Sequence, residues 1–217
     1  MRHALLLLAA CAARLDAAPV KLVPFGGDAL CVTKGRIAAA RVNEPTVRAV
    51  ATRSSGDGAA LTFVFRGDSA RTRELANGDA RRQLGLKLRA ANGCNVVYVM
   101  WRLDPRPRLE VSVKSNPGMA THRECGADGY TKIKATHAEA VPALAEGETH
   151  SLRAEIHGDE LTAWIDDAIA WRGMLPESAR ALRGPSGLRS DNLAFEIVEF
   201  RAPPADDAAR CHRDESD

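Results

Sequence analysis

Residues 147–173 read GETHSLRAEIHGDELTAWIDDAIAWRG, and residues 184–202 read GPSGLRSDNLAFEIVEFRA. In the first stretch Leu152, Ala154 and Ile156 alternate with Arg153, Glu155 and His157. Beyond His157-Gly158-Asp159-Glu160, Leu161, Ala163 and Ile165 alternate with Thr162, Trp164 and Asp166. Period-two alternation on both sides of a Gly-Asp turn predicts a β-hairpin with one buried face. Counting outward from the turn pairs Ile156 with Leu161, Ala154 with Ala163 and Leu152 with Ile165. The other face then sets Arg153 opposite Trp164, a cation–π pair. In the second stretch Leu193, Phe195 and Ile197 alternate, and Val198 and Phe200 shift the apolar phase by one. That shift predicts a bulge, or a strand buried on both faces.

The same period recurs upstream. Thr46–Thr52 alternates and stops at Ser54-Ser55-Gly56-Asp57-Gly58. Leu61, Phe63 and Phe65 form a further strand, and Leu84, Leu86 and Leu88 another with one wet face. A second hairpin is read at Val97–Leu103 and Leu109–Val113, turned by Asp104-Pro105-Arg106-Pro107-Arg108, where two prolines end the ladder. Facing Leu103 with Leu109 sets Arg102 against Glu110 and Tyr98 against Lys114. Met119–Pro142 loses the pattern and reads as a long loop or two short strands crossing between sheets. Pro176–Leu182 reads as one helical turn.

The hairpin followed by Gly-x-x-Gly-Leu-Arg-Ser-Asp-Asn-x-x-Phe (184–195) resembles concanavalin A-like, or laminin-G-like, jelly-roll sandwiches. It is most similar to secreted bacterial domains of the 3-keto-disaccharide hydrolase-like type, and RRQLGLKLRAANGCNVVYVMWRLDP (81–105) resembles part of uncharacterised secreted bacterial proteins of this class. The resemblance spans roughly Gly58 to Phe200. It implies an all-β, two-sheet antiparallel sandwich with one or two helical turns. It does not choose among a lectin, a hydrolase or an inert module, since function resides in the site and not in the fold.

The leader MRHALLLLAACAARLDAAP (1–19) carries a basic start, a short apolar run and small residues, which predicts a secretory signal. Leu8-Ala9-Ala10-Cys11 also fits a lipobox, with Cys11 as lipidated first residue; cleavage after Ala13 or Ala17 is the other reading. The expected organisation is therefore a signal over 1–18, a sandwich over 19–202 and a polar tail over 203–217. The destination is extracellular, periplasmic or the outer envelope, with membrane contact only through a lipid anchor. Setting Cys11 aside leaves Cys31, Cys94, Cys125 and Cys211, an even set that allows three pairings. Cys94–Cys125 follows if the loop after Asn116 returns to the strand end at Cys94. Cys31–Cys211 follows from the way a jelly roll brings its first and last strands together.

Lys and Arg total 30 against 28 Asp and Glu, a net charge of +2 that gives no argument for a nucleic-acid partner. The arginine clusters at 66–89 and 180–189 read as solvated surface. Glycosidases of this sandwich carry a Glu-x-Asp-x-x-Glu-like run, which is absent; Glu196 and Glu199 point to opposite faces unless a bulge intervenes. His122/Glu124 and His137/Glu139 have the alternate spacing of an acid–base or metal pair on an extended chain. Asp191 and Asn192, with Asp166-Asp167, are oxygen donors of the kind that hold calcium at a sandwich rim; no other cofactor is indicated. Tyr98, Arg102 and Lys114 on one hairpin, with Arg153 and Trp164 on the other, are the polar and aromatic side chains left outside the core. They are the expected binding residues for a glycan or cell-surface ligand. The alternatives are an enzyme acting on a sugar derivative and a structural envelope protein.

Overall fold

The computed structural model describes residues 18–26, 29–74 and 78–211. The expected signal cleavage sites and the lipidation of Cys11 lie outside the described residues, as does the tail from 212 onward. The strands are β1 (Val23–Phe25), β2 (Leu30–Lys34), β3 (Ile37–Ala38), β4 (Arg41–Val42), β5 (Thr46–Ala51), β6 (Gly58–Asp68), β7 (Gln83–Leu88) and β8 (Val96–Arg102). They continue as β9 (Arg108–Lys114), β10 (Tyr130–Lys132), β11 (His137–Ala138), β12 (Thr149–His157), β13 (Glu160–Ile165), β14 (Ala168–Met174), β15 (Gly187–Asp191) and β16 (Leu193–Ala202). Two single turns of helix, α1 (His122–Cys125) and α2 (Glu177–Arg180), complete the set. No helix among the described residues is long and apolar enough to cross a membrane.

The strands form two antiparallel sheets. The nine-stranded sheet runs β11-β14-β13-β12-β6-β16-β4-β3, with β1 also on β16; the seven-stranded sheet runs β10-β9-β8-β7-β15-β5-β2. The β12–β13 register is the one counted from its turn, including Arg153 opposite Trp164. On β16 the pairing to β6 slips between Ile197 and Glu199, a bulge, which is one of the two causes the phase shift allowed. Residues 119–142 supply α1, then β10 to one sheet and β11 to the other, so this segment does cross the sandwich.

The β8–β9 register differs from expectation by two residues. Trp101 faces Leu109, Arg102 faces Arg108, Tyr98 faces Ser112 and Lys114 faces Val96. A slip of two keeps every side chain on its face, so the core is unaffected and only the cross-strand partners change. Arg102 still reaches Glu110 diagonally, at 3.2 Å.

The core lies between the sheets. Leu61 and Phe63 of β6, Leu152 of β12, Leu86 of β7 and Trp101 of β8 are fully buried. Phe63 meets Trp101 edge-to-face at 6.1 Å and Phe195 at 5.8 Å. Each such side chain contributes about 1.5–3 kcal/mol through burial. Two disulfides are present, Cys94–Cys125 and Cys31–Cys211, with Cα–Cα distances of 5.9 and 5.7 Å.

His150 closes the rim of this core. Its ring lies 5.5 Å from Trp101 and 6.3 Å from Phe63. Nδ1 is 2.8 Å from Asp166 Oδ2 and Nε2 is 3.3 Å from Glu148 Oε2. Burial disfavours the imidazolium, but the hydrogen bonds to Asp166 and Glu148 outweigh it and raise the pKa above its ordinary value. A raised folded-state pKa stabilises the fold fully below the unfolded value, about 6.5, and that stability is lost as pH rises through the folded value. Wild type should therefore exceed His150→Gln in unfolding free energy by more at pH ~6 than at pH ~9. Denaturant titrations at the two pH values check this; a difference that grows with pH would contradict the assignment.

Candidate functional site

Sequence reasoning grouped Tyr98, Arg102 and Lys114 with Arg153 and Trp164. The structure separates them. β8 and β9 belong to the seven-stranded sheet, β12 and β13 to the nine-stranded one. Their outward faces therefore point to opposite sides of the sandwich. Arg153 Cζ sits 3.8 Å from the Trp164 ring centroid, and Arg153 Nη1 donates to Glu155 at 2.7 Å. One face of the indole is thus already covered by a guanidinium.

The outer face of the seven-stranded sheet is not wet, contrary to expectation for β7 and β8. Tyr98 is 2% exposed and Lys114 1%, and Gln83, Lys87, Arg189 and Asp191 are buried as well. Ladder partners place these residues in rows across the sheet. One row is Lys34, Arg48, Arg189, Gly85, Met100 and Glu110. The next is Cys31, Val50, Gly187, Lys87, Tyr98, Ser112 and Lys132. Asp191, Gln83 and Arg102 flank the first row; Val96, Lys114 and Tyr130 flank the second.

The layer is held by its own contacts. Arg189 Nε donates to Asp191 Oδ2 at 2.9 Å, and the same oxygen accepts from Gln83 Nε2 at 2.6 Å. Arg189 Cζ lies 5.0 Å from the Tyr98 ring centroid, and Tyr98 stacks on Tyr130 at 6.1 Å with 21° between planes. Lys114 Nζ is 5.1 Å from the Tyr130 ring and donates to Gly126 O at 2.7 Å, with Cys125 Sγ at 3.1 Å. Burial lowers the Lys114 pKa, and Arg48 and Arg189 add to that. Burial would raise the Tyr130 pKa, but the Arg189 and Lys114 charges bring it below the usual phenol range. Tyr98 carries the opposite shift, upward, because burial dominates there.

Loops frame this face. The disulfide to Cys94 and the capping of α1, where Glu124 Oε2 accepts from Thr121 N at 2.8 Å, fix the carbonyl that Lys114 uses. On the other side Cys211 is tied to Cys31 of β2. What remains open is Tyr130, 44% exposed, with Lys132 beside it. Asp191 Oδ1 is buried and accepts no hydrogen bond among the described residues. The arrangement offers an exposed aromatic ring, Tyr130, above a buried and internally bonded layer of charged groups.

Sequence reasoning missed Tyr130, Arg189, Arg48 and Gln83. Tyr130-Thr131-Lys132 is three residues long, too short to show a period. Arg189 was read as solvated surface, although it stands within the quoted Gly-Leu-Arg run.

The other expected sites take different roles. Asn192 donates to the carbonyls of Arg73 and Arg81 and so ties down a loop, and Asp191 serves Arg189 and Gln83. Asp166 and Asp167 have left-handed φ of 49° and 64°, forming the β13–β14 turn. No group of three or more metal-ligating side chains occurs among the described residues. His122 and Glu124 lie on α1, where Glu124 caps the turn, so an extended-chain pairing does not arise. His137 and Glu139 do meet, at 3.4 Å, on the exposed edge strand. The β16 bulge brings Glu196 and Glu199 to one face, but Arg41 and Arg66 hold Glu196 at 3.1 and 2.9 Å. Their hydrogen bonds and charges keep its carboxyl below the usual range.

A separate cleft of about 680 Å³ opens at one end of the sandwich, lined among others by Arg89, Arg180 and Arg183. Its cations are already engaged. Arg89 binds Asp57 and the Ala179 carbonyl, Arg180 binds Asp159, and Arg183 binds the carbonyls of Arg180 and Leu182.

Among solved structures, a carbohydrate-binding module CBM66 from Bacillus subtilis matches with TM-score 0.54 and 11% identity, over 78% of this chain and 91% of that one. The chain is a jelly-roll sandwich. The Crh5 transglycosylase in complex with NAG matches the jelly roll with TM-score 0.48 and 12% identity, over 88% of this chain and 86% of that one. A tetrameric galectin from Cinachyrella sp., a ball sponge, gives 0.45 and 13%, over 73% and 99%. At these identities the likeness is one of fold. No family model matches the sequence, and no curated protein matches it.

Proposed function

We propose that this jelly roll is an exported, non-catalytic glycan-binding protein whose ligand docks on the outer face of the seven-stranded sheet. The observation that carries the reading is Tyr130, exposed and stacked on Tyr98 above a layer of fixed hydrogen-bonding charges. Sugar rings stack on aromatic faces while their hydroxyls take directed hydrogen bonds. The carbohydrate-binding module that shares the fold supports the reading. The two disulfides fit an oxidising compartment. The lipid anchor at Cys11 belongs to the same proposal, and mass spectrometry of the native N-terminus tests it.

Tyr130→Ala is the decisive variant. It removes a ring that is 44% exposed on a three-residue edge strand but packs on Tyr98 and Lys114, so the loss of stability should be about 1–2 kcal/mol, leaving the protein folded. Binding on a glycan array should fall by about tenfold or more, the value of one lost stacking contact. Undiminished binding by a folded Tyr130→Ala protein would move the site elsewhere.

A further inference from the structure

The cleft at the end of the sandwich is built differently from the outer face of the seven-stranded sheet. Its volume of about 680 Å³ falls within the span of small-molecule sites, roughly 300–1,000 Å³. Four pieces of chain line it: the turns at 54–57 and 158–159, the connection between α2 and β15, and the tail at 207–209. The tail buries no side chain over 206–209. It is nevertheless laid down as a wall, with Ala205 N donating to Arg53 O at 2.8 Å and Ala209 N to Thr52 O at 2.6 Å.

Arg89 is the most buried charged residue of the lining, 12% exposed. Its backbone has a φ of 46°, in the left-handed region that residues other than glycine seldom enter. Such strain persists only where the surroundings fix it, and it gathers at functional sites. Here glycine backbones fix it. A side chain at Gly56 would strike Arg89 and the Gly184 carbonyl, and one at Gly184 would strike Ala90.

The charges of the cleft balance one another. Arg89, Arg180 and Arg183 stand with Asp57, Asp159 and Asp207. Arg89 Nε donates to Asp57 Oδ1 at 2.5 Å and its Nη1 to Ala179 O at 3.1 Å, while Arg180 grips Asp159 through Nε and Nη2 at 2.7 and 2.6 Å. These contacts orient the groups without exhausting them. Arg89 Nη2, Arg180 Nη1 and Asp57 Oδ2 have no further partner among the described residues. A ligand therefore meets fixed donors beside fixed acceptors, with no net charge to neutralise. Hydroxyls, which both donate and accept, suit such pairs; an ion would be desolvated without a counter-charge.

We infer that the cleft is a second saccharide site, one that takes the neutral terminal unit of a glycan chain. The lining holds no aromatic ring among the described residues, so directed contacts to one unit, not stacking along a chain, would fix the ligand. A terminal unit also keeps the hydroxyl that an internal unit loses to its linkage. The cleft is separate from the Tyr130 face, and either site can stand without the other.

A glycan array probed with the intact disulfide-bonded protein tests this. The expected hits share a neutral terminal unit whatever chain lies behind it, and trimming that unit with an exoglycosidase should lower binding about tenfold or more. Binding of these hits should barely change as salt is raised, since no ion pair forms with the ligand. Ala208→Trp, at an exposed position of the tail wall, should fill the cleft and lose the same hits without touching Arg89 or its partners. Asp57→Asn should weaken them by removing the free carboxylate oxygen. Hits that share only an internal repeat would overturn the inference, as would an Ala208→Trp protein that binds as the wild type does. Both results leave the Tyr130 face in place if Tyr130→Ala loses the hits. An array with no saccharide bound would overturn both sites.

Discussion

Replacing Trp101 with alanine should lower the unfolding free energy by about 3–5 kcal/mol, the cost of deleting a buried aromatic and leaving a cavity. Trp101 has no exposed surface and is met from the facing nine-stranded sheet by Phe63 at 6.1 Å and by His150 at 5.5 Å. In a domain of this size each kcal/mol moves the melting temperature by roughly 2–4 °C, so a fall of about 10 °C is expected. Trp101→Phe should do far less harm. It keeps most of the packing and removes an indole N–H that is buried without an acceptor among the described residues. Trp164→Ala is the contrast, since that ring is half-buried on the outer face under Arg153. Its loss should be about 1–2 kcal/mol, a cation–π contact plus partial burial. Thermal unfolding of the three variants checks the ranking; equal melting of Trp164→Ala and Trp101→Ala would place Trp164 in the core.

The fold was legible where turns are short and alternation is clean. The β12–β13 register followed from the sequence because Gly158-Asp159 leaves no freedom in how the strands are counted. The β8–β9 register slipped because a turn containing two prolines does not define its own length, although parity kept Trp101 in the core. Strands of two or three residues, such as β3, β4, β10 and β11, are too short for any period to appear. The shift on β16 was legible because Ile197 and Phe200, three positions apart, cannot share a face on a regular strand, and the pairing to β6 resolves the two possible causes as a bulge.

The site was legible only in part, for a physical reason. A polar residue in an alternating strand is expected to face water, but Tyr98, Lys114 and Arg189 are buried by one another. That depends on the order of strands β10-β9-β8-β7-β15-β5, which no local pattern encodes. Tyr98 was singled out by its side chain alone. Its partners Tyr130 and Arg189 lie 32 and 91 positions further along the chain, joined to it only by the sheet. Arg153 and Trp164 were grouped with Tyr98 for the converse reason, since two hairpins with similar outward residues need not share a sheet.

Breaking the Cys31–Cys211 disulfide should be the most costly covalent change. It spans 180 residues, against 31 for Cys94–Cys125. In the loop-entropy treatment the longer closure is worth about 5 kcal/mol and the shorter about 4. The local consequences also differ. Tail residues 204–209 already hold to the body, through Ala205 N to Arg53 O at 2.8 Å and Ala209 N to Thr52 O. Cys31→Ser should therefore lower the denaturation midpoint while leaving the polar face of the seven-stranded sheet assembled. Removing Cys94–Cys125 instead releases α1, and with it the Gly126 carbonyl that holds Lys114. The prediction is a crossed pattern. Cys31→Ser/Cys211→Ser loses more stability, and Cys94→Ser/Cys125→Ser loses more ligand affinity per unit of stability lost. Urea unfolding paired with glycan titration of both double variants measures it, and affinity falling in proportion to stability in both would mean that α1 has no part in the site.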